Sequence, residues 1–414
     1  MTHVTLKLAS MLACLVPTAA SAQVSKAMNG TTDGPAGLTA REFLNRDPAG
    51  LLNASEKRKG AVIEQLKAHQ NVLAAEVART MQDRRGGRIS AVTAASALEE
   101  ISVSIEVLQG AKSLLEKEPS PGAVLEPERL EEQAEALRWV SRPVWALCQG
   151  RPWLTGALKE EWAPILKPVE AKLAAVSRSV GVVSAYYVSP RLLSSPHVGS
   201  AVVVGPRLIA TNKHVVRDGR FGYQDVASGE WKLFTTLAGE VEFPREYQRC
   251  DGGNSPAIRA RVIGIEYADP SPEVDFIILR VDQDLPPHVR FADAPDVGDA
   301  DRIAVIGYPG RPKVPFLREV QVDEIFGTPD KKVPFPVSRL SLGYVLPNDT
   351  APAGHHTYDA TTWGGSSGSA VMSLVDGSVI SIHVKGMNSP KEGIGYNLGL
   401  SGAKIASWQK GRGL

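Results

Sequence analysis

This sequence of 414 residues has a net charge close to zero, few long apolar runs and no internal repeats. The formal net charge is only +1 and no DNA- or RNA-binding motif is present, so nucleic acid is not an expected partner. No stretch after residue 22 is long and apolar enough to cross a membrane, and no repeat recurs at solenoid spacing. With 43% hydrophobic and 22% charged residues, the composition is typical of a soluble globular protein.

Residues 1–22 have the pattern of a secretory signal peptide. Lys7 supplies a positive charge, an apolar run follows, and the sequence ASA at 20–22 gives a cleavage site of small residues. The run is too short to span a bilayer and Pro17 interrupts it. We therefore expect export to the periplasm or the cell exterior. The mature chain would begin near Gln23 and would have no membrane association.

Two cysteines, Cys148 and Cys250, remain in the expected mature chain. An oxidising compartment permits a disulfide between them, but two buried free thiols are also compatible with the sequence. Neither cysteine has a partner at a metal-ligand spacing, so we expect no metal, and no motif indicates a cofactor. The adjacent His355 and His356 would point to opposite faces of an extended stretch and are predicted to be surface residues.

Two regions of different periodicity follow the signal. A polar stretch at 23–38 is predicted to be a flexible tail, and residues 39–178 are predicted to form a helical bundle or extension. Apolar residues recur at helical spacing in four segments of that region, namely Val62, Leu66, Leu73, Val77 and Met81; Ile101, Ile105, Leu108 and Leu115; Leu130, Ala134 and Leu137; Val169, Leu173 and Val176. Each stripe needs a partner to bury it.

From 179 to 414 the period becomes that of extended strands. Short β-branched runs such as SAVVV (200–204) and SVISIHV (378–384) alternate with clusters of Gly, Pro and Asp. Many short strands with turns between them predict an all-β sandwich or barrel. SGAKIASWQK (401–410) is predicted to form a short C-terminal helix. The predicted fold class is therefore α+β and multidomain, with an N-terminal helical region followed by an all-β domain.

Three segments of the β region carry side chains with catalytic chemistry. His214 follows the strand at 199–212, at the point where the chain leaves it. Asp275 opens the apolar strand DFIILRV, whose neighbours draw the carboxylate toward the core, where it needs a donor. Ser367 lies in GGSSGSAV and is the serine with Gly two positions before it and Gly directly after it.

In the order His, Asp, Ser, these motifs resemble those of chymotrypsin-like serine peptidases, a family with two packed six-stranded β-barrels. TNKHV (211–215) resembles the histidine motif of the family, DFIILRV its aspartate strand and GGSSGSAV its nucleophile motif. The bacterial branch, with HtrA-type and glutamyl endopeptidases, is the more similar one. The resemblance covers 179–414 and not the helical region. It implies a two-barrel domain and a serine endopeptidase that acts on proteins or peptides.

The resemblance also implies a role for each residue. Ser367 is expected to be the nucleophile, and His214 the base that takes its proton and then protonates the leaving amine. Asp275 would hold the imidazole in the correct tautomer. The backbone N–H groups of Gly365 and Ser367 would form the oxyanion hole, which favours a positive φ at residue 365.

Substrate preference is implied by the positions that match the S1 pocket of the family, Thr361, Thr362 and His383. Glutamyl endopeptidases carry Ser or Thr and His at the positions matching Thr362 and His383. A hydroxyl and an imidazole that converge on one point can bind a carboxylate, so we expect cleavage after Glu or Asp. In the alternative, His383 faces another part of the barrel.

Two other functions remain open at this stage. One is a binding module of the same fold with weak or absent cleavage, although no member of the His-Asp-Ser set is missing. The other assigns the main role to the helical region, as a segment for oligomerisation, partner docking or autoinhibition. A plain structural bundle that braces the barrels is the alternative for that region.

Overall fold

The computed structural model describes ten parts of the chain, namely 55–116, 127–187, 197–243, 258–293, 297–298, 301–311, 322, 335–346, 351–388 and 395–414. They belong to one compact unit that spans Thr39–Leu414. The predicted signal peptide at 1–22 and the tail at 23–38 lie outside the described residues. None of the described helices combines the length and the apolar character that a membrane span requires.

Helices dominate the first part of the described chain, and strands dominate the rest. The helices are α1 (Glu56–Arg85), α2 (Ala91–Glu116), α3 (Pro127–Ser141), α4 (Lys159–Leu166), α5 (Glu170–Arg178), α6 (Lys213–Asp218) and α7 (Gly402–Lys410), with a 3₁₀ turn at Lys167–Val169. The strands are β1 (Val144–Cys148), β2 (Arg151–Pro152), β3 (Val180–Tyr187), β4 (His197–Gly205), β5 (Leu208–Thr211), β6 (Gly222–Gln224), β7 (Trp231–Leu233), β8 (Leu237–Phe243), β9 (Ile258–Ala268), β10 (Ile277–Val281), β11 (Arg302–Gly307), β12 (Arg339–Tyr344), β13 (His355–Tyr358), β14 (Ala370–Ser373), β15 (Val379–Asn388) and β16 (Gly395–Ser401). The predicted order of a helical region followed by a β domain is confirmed.

The long helices α1 and α2 pack against each other, and α3 packs against α2. Helix α1 begins after Ser55, whose hydroxyl accepts from the backbone N–H of Arg58 at 3.3 Å. Its buried residues are Val62, Leu66, His69, Leu73, Val77 and Thr80. Their spacing of three and four residues matches the predicted stripe and produces the apolar face that the other helices cover.

Residues 144–152 depart from the predicted all-helical pattern of 39–178, because they form the hairpin β1–β2. Pro143 cannot continue α3, and the apolar run VWALC then extends. Gln149 and Gly150 both have positive φ, 50° and 72°, as a tight two-residue hairpin turn requires. Strand β1 pairs with β12, so the region predicted as helical contributes directly to the β domain.

The first β unit is a closed six-stranded barrel with the order β10-β5-β4-β3-β8-β9, as the resemblance implied. Its core consists of buried aliphatic and aromatic side chains, among them Val203, Ile209, Phe243 and Ile277. Strands β5 and β10 are neighbours with Thr211 opposite Ile277. This pairing brings the end of β5 and the start of β10 to one rim of the barrel.

The second β unit is an eight-stranded sheet with the order β13-β16-β15-β14-β11-β12-β1-β2. An isolated bridge between Val345 and Tyr358 joins the end of β12 to β13. The six strands from β13 to β12 thus form the expected second barrel, and β1–β2 adds two strands that the resemblance did not imply. The predicted C-terminal helix is present as α7, and Gln409 on it donates to the carbonyls of Val204 and Val289 at 3.1 and 2.7 Å.

Candidate active site

His214 and Asp275 meet at the rim of the first barrel because their strands are neighbours. Strand β5 ends at Thr211, and His214 lies in the first turn of α6, two residues beyond Asn212. Asp275 lies two residues before β10. The side chain of Asn212 donates to the carbonyl of Asp275 at 2.9 Å, which holds the two segments together. Sequence analysis did not identify Asn212 as a supporting residue.

Three side chains form one hydrogen-bonded series. His214 Nδ1 is bonded to Asp275 Oδ2, and His214 Nε2 lies 2.8 Å from the Oγ of Ser367. The backbone N–H of His214 also donates to Asp275 Oδ1 at 3.1 Å. The structure thus brings together the histidine, aspartate and serine that sequence analysis selected. The imidazole contacts the carboxylate with one nitrogen and the hydroxyl with the other.

The electrostatics of Asp275 favour a charged carboxylate. Burial by itself raises the pKa of this group, but the hydrogen bond and charge of His214 and two backbone N–H groups, from His214 and Lys213, outweigh it. The pKa of Asp275 therefore lies below its ordinary value. A carboxylate that stays ionised accepts a hydrogen bond from the N–H of Nδ1 and leaves Nε2 as a base toward Ser367.

The turn that carries Ser367 depends on two glycines with positive φ, Gly365 at 94° and Gly368 at 85°. A Cβ at residue 365 would lie 2.2 Å from the Cε1 atom of His197 and 2.8 Å from backbone atoms of Tyr308 and Gly310. Both the positive φ and the lack of space for a Cβ atom therefore exclude a side chain at Gly365. The positive φ at this residue agrees with the expectation from the sequence.

The backbone N–H groups of Gly365 and Ser367 have no acceptor among the described residues. The adjacent N–H groups in the same turn are used, since Ser366 donates to the carbonyl of Trp363 at 3.0 Å and Gly368 to that of His383 at 2.9 Å. Two unused donors that flank the Ser367 hydroxyl are the arrangement that stabilises a developing oxyanion.

Ser200 links the first barrel to this turn, and sequence analysis missed it. Its Oγ donates to the carbonyl of Gly365 at 3.0 Å and accepts from the N–H of Tyr308 at 2.9 Å. Its own N–H donates to the carbonyl of Ser367 at 2.7 Å. The fully buried Ser200 therefore fixes both ends of the segment that carries the two unused donors. Ser200 lies in a buried strand, and no pattern in the sequence around it indicates this role.

Thr361 does not take the role that the resemblance implied. Its side chain is fully buried, and its hydroxyl donates to the carbonyl of Arg142 at 3.1 Å. The Thr361 hydroxyl is thus engaged by the protein itself and is not free to bind a substrate group in an S1 pocket. The half-buried Thr362 donates its hydroxyl to Oδ1 of Asn397. Asn397 in turn donates to the carbonyl of Ala360, and sequence analysis did not select it.

His383 is buried below the nucleophile turn, where its Nδ1 lies 2.6 Å from the hydroxyl of Tyr358. Burial, with a smaller contribution from the charge of His214, lowers the pKa of His383 to about 3. Burial raises the pKa of Tyr358 well above its ordinary value, so the phenol stays protonated. The Tyr358 hydroxyl and Nδ1 of His383 share this hydrogen bond, and neutral His383 carries a proton on one of its two ring nitrogens.

The remaining predicted residues have mixed outcomes. Cys148 is disulfide-bonded, whereas Cys250 lies outside the described residues. The prediction of a surface position is wrong for His355, which is buried, whereas His356 is half-buried and keeps some exposed surface. In the described part of the chain, no group of three or more His, Cys, Asp or Glu side chains is arranged to hold a metal ion.

Comparison with known proteins gives one family match, which covers part of the β region. None of the curated proteins matches the sequence. Among solved structures, the protein in "Crystal structure of Deg5" is 15% identical in sequence to this chain. The match covers 60% of this chain and 92% of that protein, with a TM-score of 0.36, and a similarity at this level carries no information about function. Residues 199–382, less than half of the chain, match the family described as trypsin-like peptidase domain. This match supports a trypsin-like serine peptidase in general.

Proposed function

We propose that this protein is a serine endopeptidase that works through Ser367, His214 and Asp275. The observation that carries the proposal is the hydrogen-bonded series from Asp275 through both nitrogens of His214 to the Ser367 hydroxyl. The two unused N–H groups of Gly365 and Ser367 support it. The match of residues 199–382 to the trypsin-like peptidase domain agrees with it.

In the proposed mechanism, Ser367 Oγ attacks the carbonyl carbon of the substrate while Nε2 of His214 takes the hydroxyl proton. The carbonyl oxygen becomes an oxyanion and accepts from the N–H groups of Gly365 and Ser367. His214 then gives its proton to the leaving amine, and the C–N bond breaks to leave an acyl ester on Ser367. Water, deprotonated by the same imidazole, hydrolyses the ester and restores the hydroxyl.

The proposed activity is tested with a library of internally quenched peptides. Wild type should cleave a subset of them, and Ser367→Ala should lose this cleavage by several orders of magnitude. Ser369→Ala is the matched control, because Ser369 lies in the same turn and its buried hydroxyl has no partner among the described residues. Equal loss in both variants, or no loss in Ser367→Ala, would contradict the assignment of the nucleophile.

We also propose that the enzyme prefers Glu, and secondarily Asp, at P1. With both threonine hydroxyls engaged, the support is the neutral His383. We assign the Tyr358 hydroxyl as the donor to Nδ1, so that the proton of His383 lies on Nε2 and can donate to a carboxylate. Peptides that differ only at P1, as Glu, Gln, Leu or Arg, test this preference. Wild type should favour Glu over Gln, and His383→Gln should abolish the difference. Equal cleavage after all four residues would contradict it.

We propose that the enzyme acts outside the cytoplasm, in the periplasm or the extracellular medium. The signal-like sequence at 1–22 supports this location, and so does the disulfide at Cys148, since disulfides persist in oxidising compartments. Intact mass spectrometry of protein recovered after export should give a chain that begins near Gln23. An uncleaved chain found in the cytoplasm would contradict the proposal.

A further inference from the structure

The end of α3 packs against the segment that leads to Ser367. Residues 359–368 are called the nucleophile loop here. Trp139 in the last turn of α3 stacks on Trp363 of this loop, with ring centroids 5.6 Å apart and an interplanar angle of 22°. The indole N–H of Trp363 donates to the carbonyl of Gly310. The backbone carbonyl of Trp363 accepts from the backbone N–H of Ser366 at 3.0 Å. The position of this ring is therefore tied to the turn that holds Gly365.

A buried ion pair fixes the start of the same loop. Arg142, directly after α3, pairs with Asp359, and their side chains are only 1% and 3% exposed. Burial alone lowers the pKa of Arg142, but the charge and hydrogen bond of Asp359 reverse this effect, so Arg142 stays charged. The second oxygen of Asp359 accepts from the N–H of Tyr344 at 2.7 Å. The carbonyl of Arg142 accepts from the Thr361 hydroxyl at 3.1 Å.

The contact extends from Arg142 to two further helices through the ring of Tyr344. The guanidinium groups of Arg142 and Arg58 lie 4.6 and 5.0 Å from the centre of this ring. The Tyr344 hydroxyl lies 3.3 Å from Glu161, which also pairs with Arg58 at 3.3 Å. Arg58 belongs to α1 and Glu161 to α4, so three helices of the N-terminal region converge on the strand that supports Asp359.

We propose that Trp139 and Arg142 are positioning residues of the active site, and that the helical region acts as an intramolecular activator of the peptidase domain. The inference rests on the proposed function, because it takes Ser367 as the nucleophile. Asp359, Thr361 and Trp363 are all held by Trp139 or Arg142, and they precede Ser367 on one continuous segment. Without these contacts the loop can change conformation while both β units stay folded. The helical region then promotes catalysis and does not inhibit it.

The stacking contact is tested with Trp139→Ala and the conservative Trp139→Phe, at a temperature where circular dichroism shows each variant folded. Trp139→Ala should lower kcat about 10- to 100-fold with little change in KM, because a displaced nucleophile mainly affects the chemical step. Trp139→Phe keeps a ring against Trp363 and should recover most of kcat. Leu66→Ala, a core substitution in α1, is the control that destabilises the helices without changing Trp139, and it should keep its kcat.

The ion pair is tested with Arg142→Met and with the double variant Arg142→Met/Asp359→Asn. The single variant leaves a buried carboxylate unpaired and is expected to lose stability, whereas the double variant removes both charges. The double variant should regain a Tm close to wild type but keep a low kcat. Recovery of kcat in parallel with Tm would show that the pair serves stability alone, and this result would overturn the proposal.

Hydrogen exchange supplies a readout that does not depend on catalysis. Peptides that cover 359–368 should exchange faster in Trp139→Ala than in wild type, and peptides from the first barrel should not change. An active wild type with unchanged kcat and unchanged exchange in Trp139→Ala would overturn this inference alone. A wild type that cleaves no peptide and does not react at Ser367 would overturn both this inference and the proposed function.

Discussion

Nε2 of His214 lies 2.8 Å from Oγ of Ser367, although the two residues are 153 positions apart in the sequence. His214 comes from the rim of the first barrel and Ser367 from the turn before β14 of the second unit. The contact therefore exists only when both units are folded and joined. The bond from the N–H of Ser200 to the carbonyl of Ser367, at 2.7 Å, is one of the links that hold this joint.

The carboxylate of Asp275 is expected to be essential for turnover. Asp275→Asn keeps the size of the side chain, but its amide favours the wrong tautomer of His214, and kcat should fall by about four orders of magnitude. Asp269→Asn is the control, because Asp269 is a buried carboxylate in the same connection between β9 and β10 but pairs with Lys404. It should lose far less activity. Steady-state kinetics on one cleaved peptide measure both variants, and similar losses would contradict the role of Asp275.

Gly365→Ala should reduce kcat by about 100- to 1,000-fold, the effect of one lost oxyanion donor. The new Cβ would lie 2.2 Å from His197 at a backbone φ of 94°, so the turn must change to accommodate it. Gly364→Ala is the matched control, since a Cβ at Gly364 meets nothing within 4 Å. Kinetics and Tm of the two variants should differ clearly. Full activity in Gly365→Ala would argue against an oxyanion site at this N–H.

Ser200→Ala is expected to lower both stability and turnover. It removes the donor to the Gly365 carbonyl and leaves the buried N–H of Tyr308 without its acceptor, at a cost of roughly 1–3 kcal/mol in the free energy of unfolding. Ser381→Ala is the control, because the Ser381 hydroxyl is buried and has no partner among the described residues. Chemical denaturation should show a loss for the first variant and almost none for the second.

Acid should destabilise the protein in part through His69 in α1. Burial lowers the pKa of His69 from its ordinary 6.5 to about 4, and neither ring nitrogen has a partner among the described residues. As pH falls from 6.5 to 4, the unfolded chain binds a proton that the folded chain does not, so stability decreases by roughly 3 kcal/mol over this window.

His69→Leu should flatten the dependence of the unfolding free energy on pH between 6.5 and 4. The same substitution at His288, which is half-buried in the connection between β10 and β11, is the control for the loss of a histidine elsewhere in the chain. Urea denaturation at a series of pH values measures both slopes. An unchanged slope in His69→Leu would show that the folded state accommodates the charged imidazole.

The sequence allowed the fold class and the three side chains of the hydrogen-bonded series to be selected, because each depends on a local pattern. His214 follows one short apolar strand and Asp275 precedes another, and the glycines around Ser367 distinguish it from the other serines. Strand β1 was missed because helical stripes surround it on both sides. Pro143 and the turn-forming Gln149-Gly150 were the signals that could have indicated the hairpin.

Contacts between distant residues could not be predicted in the same way. Arg142 and Asp359 are 217 positions apart, and neither lies in a motif that indicates a partner. The Thr361 hydroxyl looked available in the sequence, but it donates a hydrogen bond to the carbonyl of Arg142. His355 lies in a polar stretch and is nevertheless buried, because it pairs with Leu400 in the sheet. In each case tertiary packing, and not local pattern, decides the outcome.

Reaction of the folded protein with a fluorophosphonate probe tests the central claim most directly, because such probes modify only serines that a neighbouring base activates. Intact mass spectrometry should show one probe per chain, and peptide mapping should place it on Ser367. Ser367→Ala and His214→Ala should remain unlabelled while Ser369→Ala labels like wild type. A wild-type chain that takes up no probe, or takes it up equally after Ser367→Ala, would contradict a peptidase site and favour a binding module of the same fold.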